Sequence, residues 1–401
     1  MPLTRCHVFA LSLALVAAPR LVHAQAPLTL DDALRLAAAN NERAAKAPLR
    51  VTVAEGQLEK ARAGFLPTLT AGGLATIQPV DAKNPRVFTS GASLTLSQPI
   101  LNLSAFPLYA QALHTLESER WGASQDKRLL AFDTTRAFLL VLTNERLLAA
   151  AQGRLDRALA DDKNSRQRAG AGLNSSNDVT RSSIEVQSAQ REVTTAQGNL
   201  ERAQIQLAFL IGKPVVGALA VHERTSHAAE STALGGDDAR AAEDRRPDVI
   251  SAKEKTAAAW AFAREPLYRL APTLSAQGQL KLNIDPLPMQ NLHDESLNFT
   301  LTWTLFDAGT RYGDRRLRVA QAESTALDEK ALRRSVSSDV ALAIAALRTA
   351  RTLYKVAGDA AQLAQKNTDE TQVLYAQGLA KAIEVTDANA CLLYTSPSPR
   401  D

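Results

Sequence analysis

The stretch FLPTLTAGG at Phe65–Gly73 returns as LAPTLSAQG at Leu270–Gly278, and SLTLSQPILN at Ser93–Asn102 returns as NFTLTWTLFD at Asn298–Asp307. Both pairs lie 205 residues apart. A third pair, AGLNSSNDV (Ala171–Val179) against QGLAKAIEV (Gln377–Val385), lies 206 apart. Three landmarks at nearly one spacing define two copies of a unit of about 200 residues, so the fold must use the same elements twice. The first repeat is read as residues 25–220 and the second as 247–390. The polar, small-residue stretch 221–246 between them is a linker, and its His222 and His227 read as solvated rather than metal-bound.

Each copy runs in the same order: a helix ending near a proline, a strand pair, a very long helix, a Gly-Leu turn and a further helix. The first helix begins in TLDDALRLAAANN, where Thr29 or Asp31 can cap it and acids occupy the first turn, and it is expected to reach about Ala63. Its copy follows RRPDV, with Pro247 suited to a first helical turn. The strand pairs fall at 65–104 and 270–307. Leu274, Ala276, Gly278, Leu280 and Leu282 alternate with Ser275, Gln277, Gln279, Lys281 and Asn283. Leu297, Phe299, Leu301, Trp303 and Leu305 likewise oppose Asn298, Thr300, Thr302 and Thr304, and Leu94 and Leu96 oppose Ser93, Thr95 and Ser97. An ordinary hairpin with one wet face explains the alternation. It does not explain why the apolar face has almost nothing to pack on.

No proline interrupts Ala110 to Arg168, and the run from Thr310 to Gln377 matches it. About 60 helical residues span roughly 90 Å, far beyond the usual globular helix. Apolar residues recur at three- and four-residue steps, many of them alanine, which permits close approach to other long helices. Aromatics make up only 5% of the chain against 45% apolar residues, a balance that suits helix-on-helix packing better than a compact core.

The net charge of +4 over 401 residues gives no basic stripe, so nucleic-acid binding has no support. The N-terminus, with Arg5, an apolar run from about Val8 to Ala18 and VHA before Gln25, reads as a signal peptide over 1–24. No later segment reaches about 18 consecutive apolar residues. Cys6 and Cys391 are the only cysteines, so no intramolecular disulfide is expected once the leader is removed. HExxH, GxSxG, Walker and CxxC patterns are absent, which argues against an enzyme and against any cofactor. The stretch RAGAGLNSSNDV (Arg168–Val179) is no phosphate loop, because a helix rather than a strand enters it and no lysine follows at Walker spacing. Gly172 ends the incoming helix, and Ser175, Ser176 or Asn177 caps the outgoing one.

Together the leader, the duplication, the paired strands and the Ala-rich helices resemble the TolC-like outer-membrane efflux proteins over about Pro27–Asn389. The most specific marks are LTLDDALRLAAANN, FLPTL, RRPDV, LFDAGTRYGDRRLRVAQA and the two Gly-Leu turns. The resemblance implies a mainly α fold with a minor antiparallel β part. Each protomer's long helices would build a periplasmic α-barrel, and its four strands would join a trimeric, twelve-stranded transmembrane β-barrel. It implies a passive conduit of a tripartite efflux or type I secretion system. The partners would be two further copies, a periplasmic adaptor, an inner-membrane transporter and outer-membrane lipid.

Leu94, Leu96, Leu274, Leu280, Phe299, Leu301 and Trp303 would face lipid, and Thr300, Thr302, Ser275 and Gln277 the lumen. Pro79, Asp81 to Pro85 and Asp285 to Asp294 would form extracellular loops. The turns at 168–179 and 375–385 would form the periplasmic tip, where Arg168, Gly172, Leu173, Ser175, Gly378 and Leu379 meet the adaptor. The resemblance also implies a gate there. Glu384 and Asp387 would form acidic rings of raised pKa that favour cations, and Asp178 and Tyr375 would form a hydrogen-bonded lock. The basic partner of that lock falls on Ala380, leaving adjacent Lys381 as a substitute; Asp178 can equally cap its own helix, and Glu384 can be a solvated acid. The tail 391–401, ending LLYTSPSPRD, shows no helical pattern and is read as foreign to the family, leaving the second repeat incomplete. A periplasmic adaptor and a structural coiled-coil envelope protein remain the alternative readings.

Overall fold

In a computed structural model of the chain, residues 27–77, 88–172, 175–215, 217, 219–220, 245–284 and 291–395 are described. The leader, most of the linker, Pro79 and Asp81 to Pro85, the start of the loop at Asp285, Leu173 and the last six residues lie outside that set. The elements in chain order are β1 (Leu28–Thr29), α1 (Leu30–Asn40), α2 (Glu42–Arg62), a 3-10 turn (Ala63–Phe65), β2 (Thr68–Ile77), β3 (Phe88–Leu101), α3 (Ala105–Gly170), α4 (Ser176–Ile211), β4 (Leu219–Ala220), α5 (Pro247–Tyr268), β5 (Thr273–Asn283), β6 (His293–Thr302), α6 (Thr310–Ala376) and α7 (Ala382–Thr395).

The long helices owe their course to a heptad pattern. Leu116, Ala123, Leu130, Ala137, Asn144, Ala151, Ala158 and Ser165 are all buried and recur at every seventh position of α3. A strict seven-residue repeat keeps one seam facing its partner only if the helices supercoil left-handedly. On α4, Ala189, Ala196 and Ala203 repeat the spacing, and α4 lies along α3, as do α5 and α2. Small seam residues let the 66-residue α3 and its neighbours approach closely. The main apolar cluster, with Leu130, Phe138, Val141, Leu207 and Ile211 around Ala33 and Ala37, lies where α1, α3 and α4 meet.

The first helix is not continuous to Ala63, as its periodicity suggested. Asn41 breaks it with an extended backbone, ending α1 and capping α2 by accepting from the Arg43 amide. The cause is tertiary. Asn40 Nδ2 donates to the Ile211 carbonyl at 2.9 Å and Asn41 Nδ2 to the Leu210 carbonyl at 3.0 Å, so the asparagine pair satisfies the open C-terminus of α4. Gly212 follows in the left-handed region at φ 68. Just beyond it β4 pairs in parallel with β1, a contact of two residues on each side.

The four longer strands make one antiparallel sheet in the order β2-β3-β5-β6, so the two copies join at the central β3–β5 pair. Its register lines up apolar rows: Leu69, Leu96, Gly278 and Leu297 in one, and Ala71, Leu94 and Leu280 in the next, where the row ends on Glu295. Between them run polar rows such as Thr70, Thr95, Gln279 and Ser296. The register shifts between Pro99 and Leu101, at a proline that can give no ladder hydrogen bond. Two expected boundaries move. β6 starts at His293, so His293 and Asp294 belong to the strand and not the loop, and it ends at Thr302, which leaves Trp303 and Leu305 beyond it. The tail segment also differs from its reading as non-helical, because α7 runs through Cys391 to Thr395.

Candidate functional site

Two regions concentrate the expected functional residues: the outer face of the sheet and the far ends of the long helices. On the sheet, the register places Leu94 opposite Leu280, Leu96 opposite Gly278, Leu274 opposite Leu301, and Ala276 opposite Phe299. Leu94, Leu96, Leu274, Leu280, Phe299 and Leu301 therefore share one face. No described element covers it, and Leu297, Phe299 and Leu301 are about two-thirds exposed. Trp303 stands at the margin of this face, its indole N–H donating to the Leu270 carbonyl at 3.0 Å. The opposite face carries the Thr, Ser, Gln and Asn rows. Strands of 10 to 14 residues meet the roughly 9–11 residues that a tilted strand needs to cross a bilayer. Among the described residues no helix is long and apolar enough to cross one.

The helical ends are built from two glycine turns. α3 closes with the Gly172 N–H bonded to the Ala169 carbonyl, and Gly172 has φ 72. α6 closes with Gly378 N–H to Tyr375 O and Leu379 N–H to Leu374 O, the paired bonds of a Schellman motif, with Gly378 at φ 77. Of the three candidate caps of α4, Ser175 is used. Its Oγ accepts from the Asp178 amide while the Asp178 carboxylate accepts from the Ser175 N–H and Oγ–H, a reciprocal capping box. The Glu384 carboxylate likewise turns back to accept from the Lys381 N–H at 3.1 Å, at the start of α7.

Asp178, Tyr375 and Asp387 come together around one cavity of about 280 Å³, with Asp161, Glu185 and Arg181 also in its wall. Glu384 and Lys381 are not in that wall. Asp178 and Tyr375 thus meet across a shared space, while the Asp178 carboxylate is held by Ser175. Arg168 turns inward: its guanidinium lies 4.2 Å from the centre of the Tyr375 ring and donates to the Tyr375 carbonyl at 3.0 Å. Gly172, Ser175, Gly378 and Leu379 remain exposed at the tip.

Sequence reading missed a half-buried polar group in the wall of the cavity. Asp161 on α3 accepts from Asn389 Nδ2 of α7 at 3.0 Å. Burial pushes its carboxyl above the ordinary range, with Glu185 adding to the rise and Arg157 and Asn389 opposing it. Arg154 is clasped by Glu185 at 2.7 Å and by Glu192, tying α3 to α4 about two turns further up. The only sequence signal for this group was the i, i+4 spacing of Arg157 and Asp161. Among the described residues no three or more His, Cys, Asp or Glu side chains converge as a metal site would.

Comparison with known proteins adds to this geometry. Residues 33–213 match the model of the "Outer membrane efflux protein" family. No curated protein sequence matches the chain. Among solved structures, a membrane protein from Pseudomonas aeruginosa is 20% identical with a TM-score of 0.77, over 91% of this chain and 87% of its own. The outer membrane protein VceC of Vibrio cholerae is 15% identical with a TM-score of 0.80, over 91% and 90%. The Campylobacter jejuni CmeC outer membrane channel is 16% identical with a TM-score of 0.79, over 91% and 80%. At these identities the likeness to the solved structures shows the fold, long packed helices carrying a four-stranded antiparallel sheet. The family match covers residues 33–213, from α1 to just past the end of α4, and the likeness in fold extends over 91% of the chain.

Proposed function

We propose that three copies of this chain assemble into an outer-membrane conduit with a helical extension into the periplasm. The observation that carries this reading is the sheet. It exposes an apolar face that no described element covers, and among the described residues its outermost strands, β2 and β6, each pair on one side only. Unpaired edges cannot stand in hydrocarbon, and closing the sheet against copies of itself removes them. The polar rows then line a water-filled lumen, and the heptad helices continue that lumen into the periplasm.

The conduit is passive. It takes substrate from a periplasmic adaptor docked on the exposed tip residues Gly172, Ser175, Gly378 and Leu379, with an inner-membrane transporter supplying the energy for efflux or type I secretion. The tip is the gated end. Asp387 and Asp178 border its cavity, and Glu384 and Lys381 stand at the start of α7 beside it. Support comes from the turns, which bring both copies' helix ends to one place, and from solved relatives described as outer membrane channels, one of them in an open state from Neisseria gonorrhoeae.

The test is fractionation and transport. Expressed in a strain lacking its own outer-membrane efflux channels, the full chain is expected in the outer membrane as a heat-modifiable trimer that lowers drug accumulation. A soluble periplasmic monomer would overturn the reading in favour of an adaptor or coiled-coil protein.

A further inference from the structure

Tyr375 sits on the last turn of α6, and Arg168 near the end of α3 holds it in two ways. The guanidinium covers the ring at 4.2 Å from its centre, and Nη2 donates to the residue's own carbonyl at 3.0 Å. That carbonyl also accepts the Gly378 N–H at 3.1 Å, so the second contact falls on the hydrogen bond that ends α6. One cation therefore fixes both the ring and the backbone where the second hairpin turns.

Among the described residues no hydrogen bond is made by the Tyr375 hydroxyl, and Arg168 is the one cation over its ring. The ring stands between two clefts of about 280 and 660 Å³. The Asp178 carboxylate in the smaller cleft is occupied by the Ser175 N–H and hydroxyl. Position 380 is alanine, and Lys381 is exposed, away from both clefts. The side chain that ties the two hairpins together at Tyr375 comes from the other copy of the repeat.

We propose that Arg168 and Tyr375 form a latch within each protomer that holds the α6–α7 turn against the end of α3 and keeps the tip closed. The proposal rests on the tip being the gate. The latch needs the ring face and a backbone carbonyl, and it makes no use of the tyrosine hydroxyl. A lock built on hydrogen bonding between that hydroxyl and Asp178 has the opposite requirement.

The test uses the full chain with two readouts. Hydrogen exchange of the peptides covering Leu374 to Glu384 reads the latch inside one protomer, and closed-state conductance in planar bilayers reads the gate. Arg168→Ala and Tyr375→Ala are expected to speed exchange at the Leu379 amide and raise closed-state conductance several-fold, on the order of 3 to 10. Tyr375→Phe is expected to match the wild type in both readouts. Arg168→Lys, which retains the charge but loses the planar fork, should fall between. Unchanged exchange in Arg168→Ala, or full release in Tyr375→Phe, overturns the latch. Faster exchange in Arg168→Ala with unchanged conductance keeps the latch and refutes the tip as gate. A variant that no longer forms the wild-type trimer on native gels is judged on exchange alone, since the contact is made within one chain.

Discussion

Placing an arginine at position 96 separates a lipid-facing sheet from a water-facing one. Leu96 lies in the apolar row with Leu69, Gly278 and Leu297, between the Leu94–Leu280 pair and the Ala276–Phe299 pair. It is half-exposed and no described element covers it. If that row faces hydrocarbon, Leu96→Arg must carry a charge to mid-belt, at a cost of ~2–4 kcal/mol per protomer and three times that per trimer. The neighbouring Thr95 points to the other face, in the row with Thr70 and Gln279. An arginine there meets lumen water and should cost under ~1 kcal/mol. The assay is refolding from urea into phospholipid vesicles, reading the folded fraction from unheated gel mobility. The expected result is a large shift of the transition for Leu96→Arg and a small one for Thr95→Arg. On a sheet facing water on both sides, each would stay within roughly 0.5 kcal/mol of wild type. Equal, small shifts for the two variants would refute the assignment of faces.

Two further outcomes follow from the helical part. A Cβ at Gly212 would lie 2.8 Å from the Asn40 Cβ, at φ 68. Gly212→Ala should therefore cost ~2–4 kcal/mol, combining left-handed strain with loss of the Asn40–Ile211 bond. In an Asn40→Gly background only the strain of ~1–2 kcal/mol remains, and a cost unchanged between backgrounds in urea melts would show that the close approach is not its source. At the tip, burial raises the Asp161 carboxyl above the ordinary value of about 3.8, so the folded state holds a proton that the unfolded chain has released. Stability should then fall as pH rises from about 3.8 through the raised value. Arg157 and Asn389 oppose this rise, and Glu185 reinforces it. Asp161→Asn should flatten that slope and melt higher at neutral pH; an unaltered pH profile would rule the residue out as its cause.

Much of this fold was legible because its signals are periodic. The strand alternation placed Leu94, Leu96, Leu274, Leu280, Phe299 and Leu301 on one face, since side chains must alternate along any strand. The absence of proline located the long helices to within a few residues of α3 and α6. The glycine turns were legible because α3 and α6 each end on a left-handed residue, and Gly172 and Gly378 supply it without strain.

What stayed hidden depends on partners distant in sequence. The α1–α2 break is invisible in LRLAAANNERAAKA, because Asn40 and Asn41 are turned by carbonyls of α4 about 170 residues away. The β1–β4 pair has two residues a side, too few to alternate. At the tip, sequence left Asp178 as either cap or lock. In the structure Asp178 makes the cap, because Ser175 lies three residues away while Tyr375 must be brought from the other copy. The Arg168–Tyr375 contact joins residues 207 apart in sequence and carries no local pattern at all.

Closing a barrel from three copies requires β2 of one copy to pair with β6 of the next. Cysteines placed singly on the two edges, Ala71→Cys on β2 and Leu297→Cys on β6, can be combined in a chain with Cys391 replaced by serine, and oxidised in intact outer membranes. A ladder of dimer and covalent trimer is expected, appearing only when both edge cysteines are present. Monomer alone after oxidation, with the protein folded in the outer membrane, would contradict it.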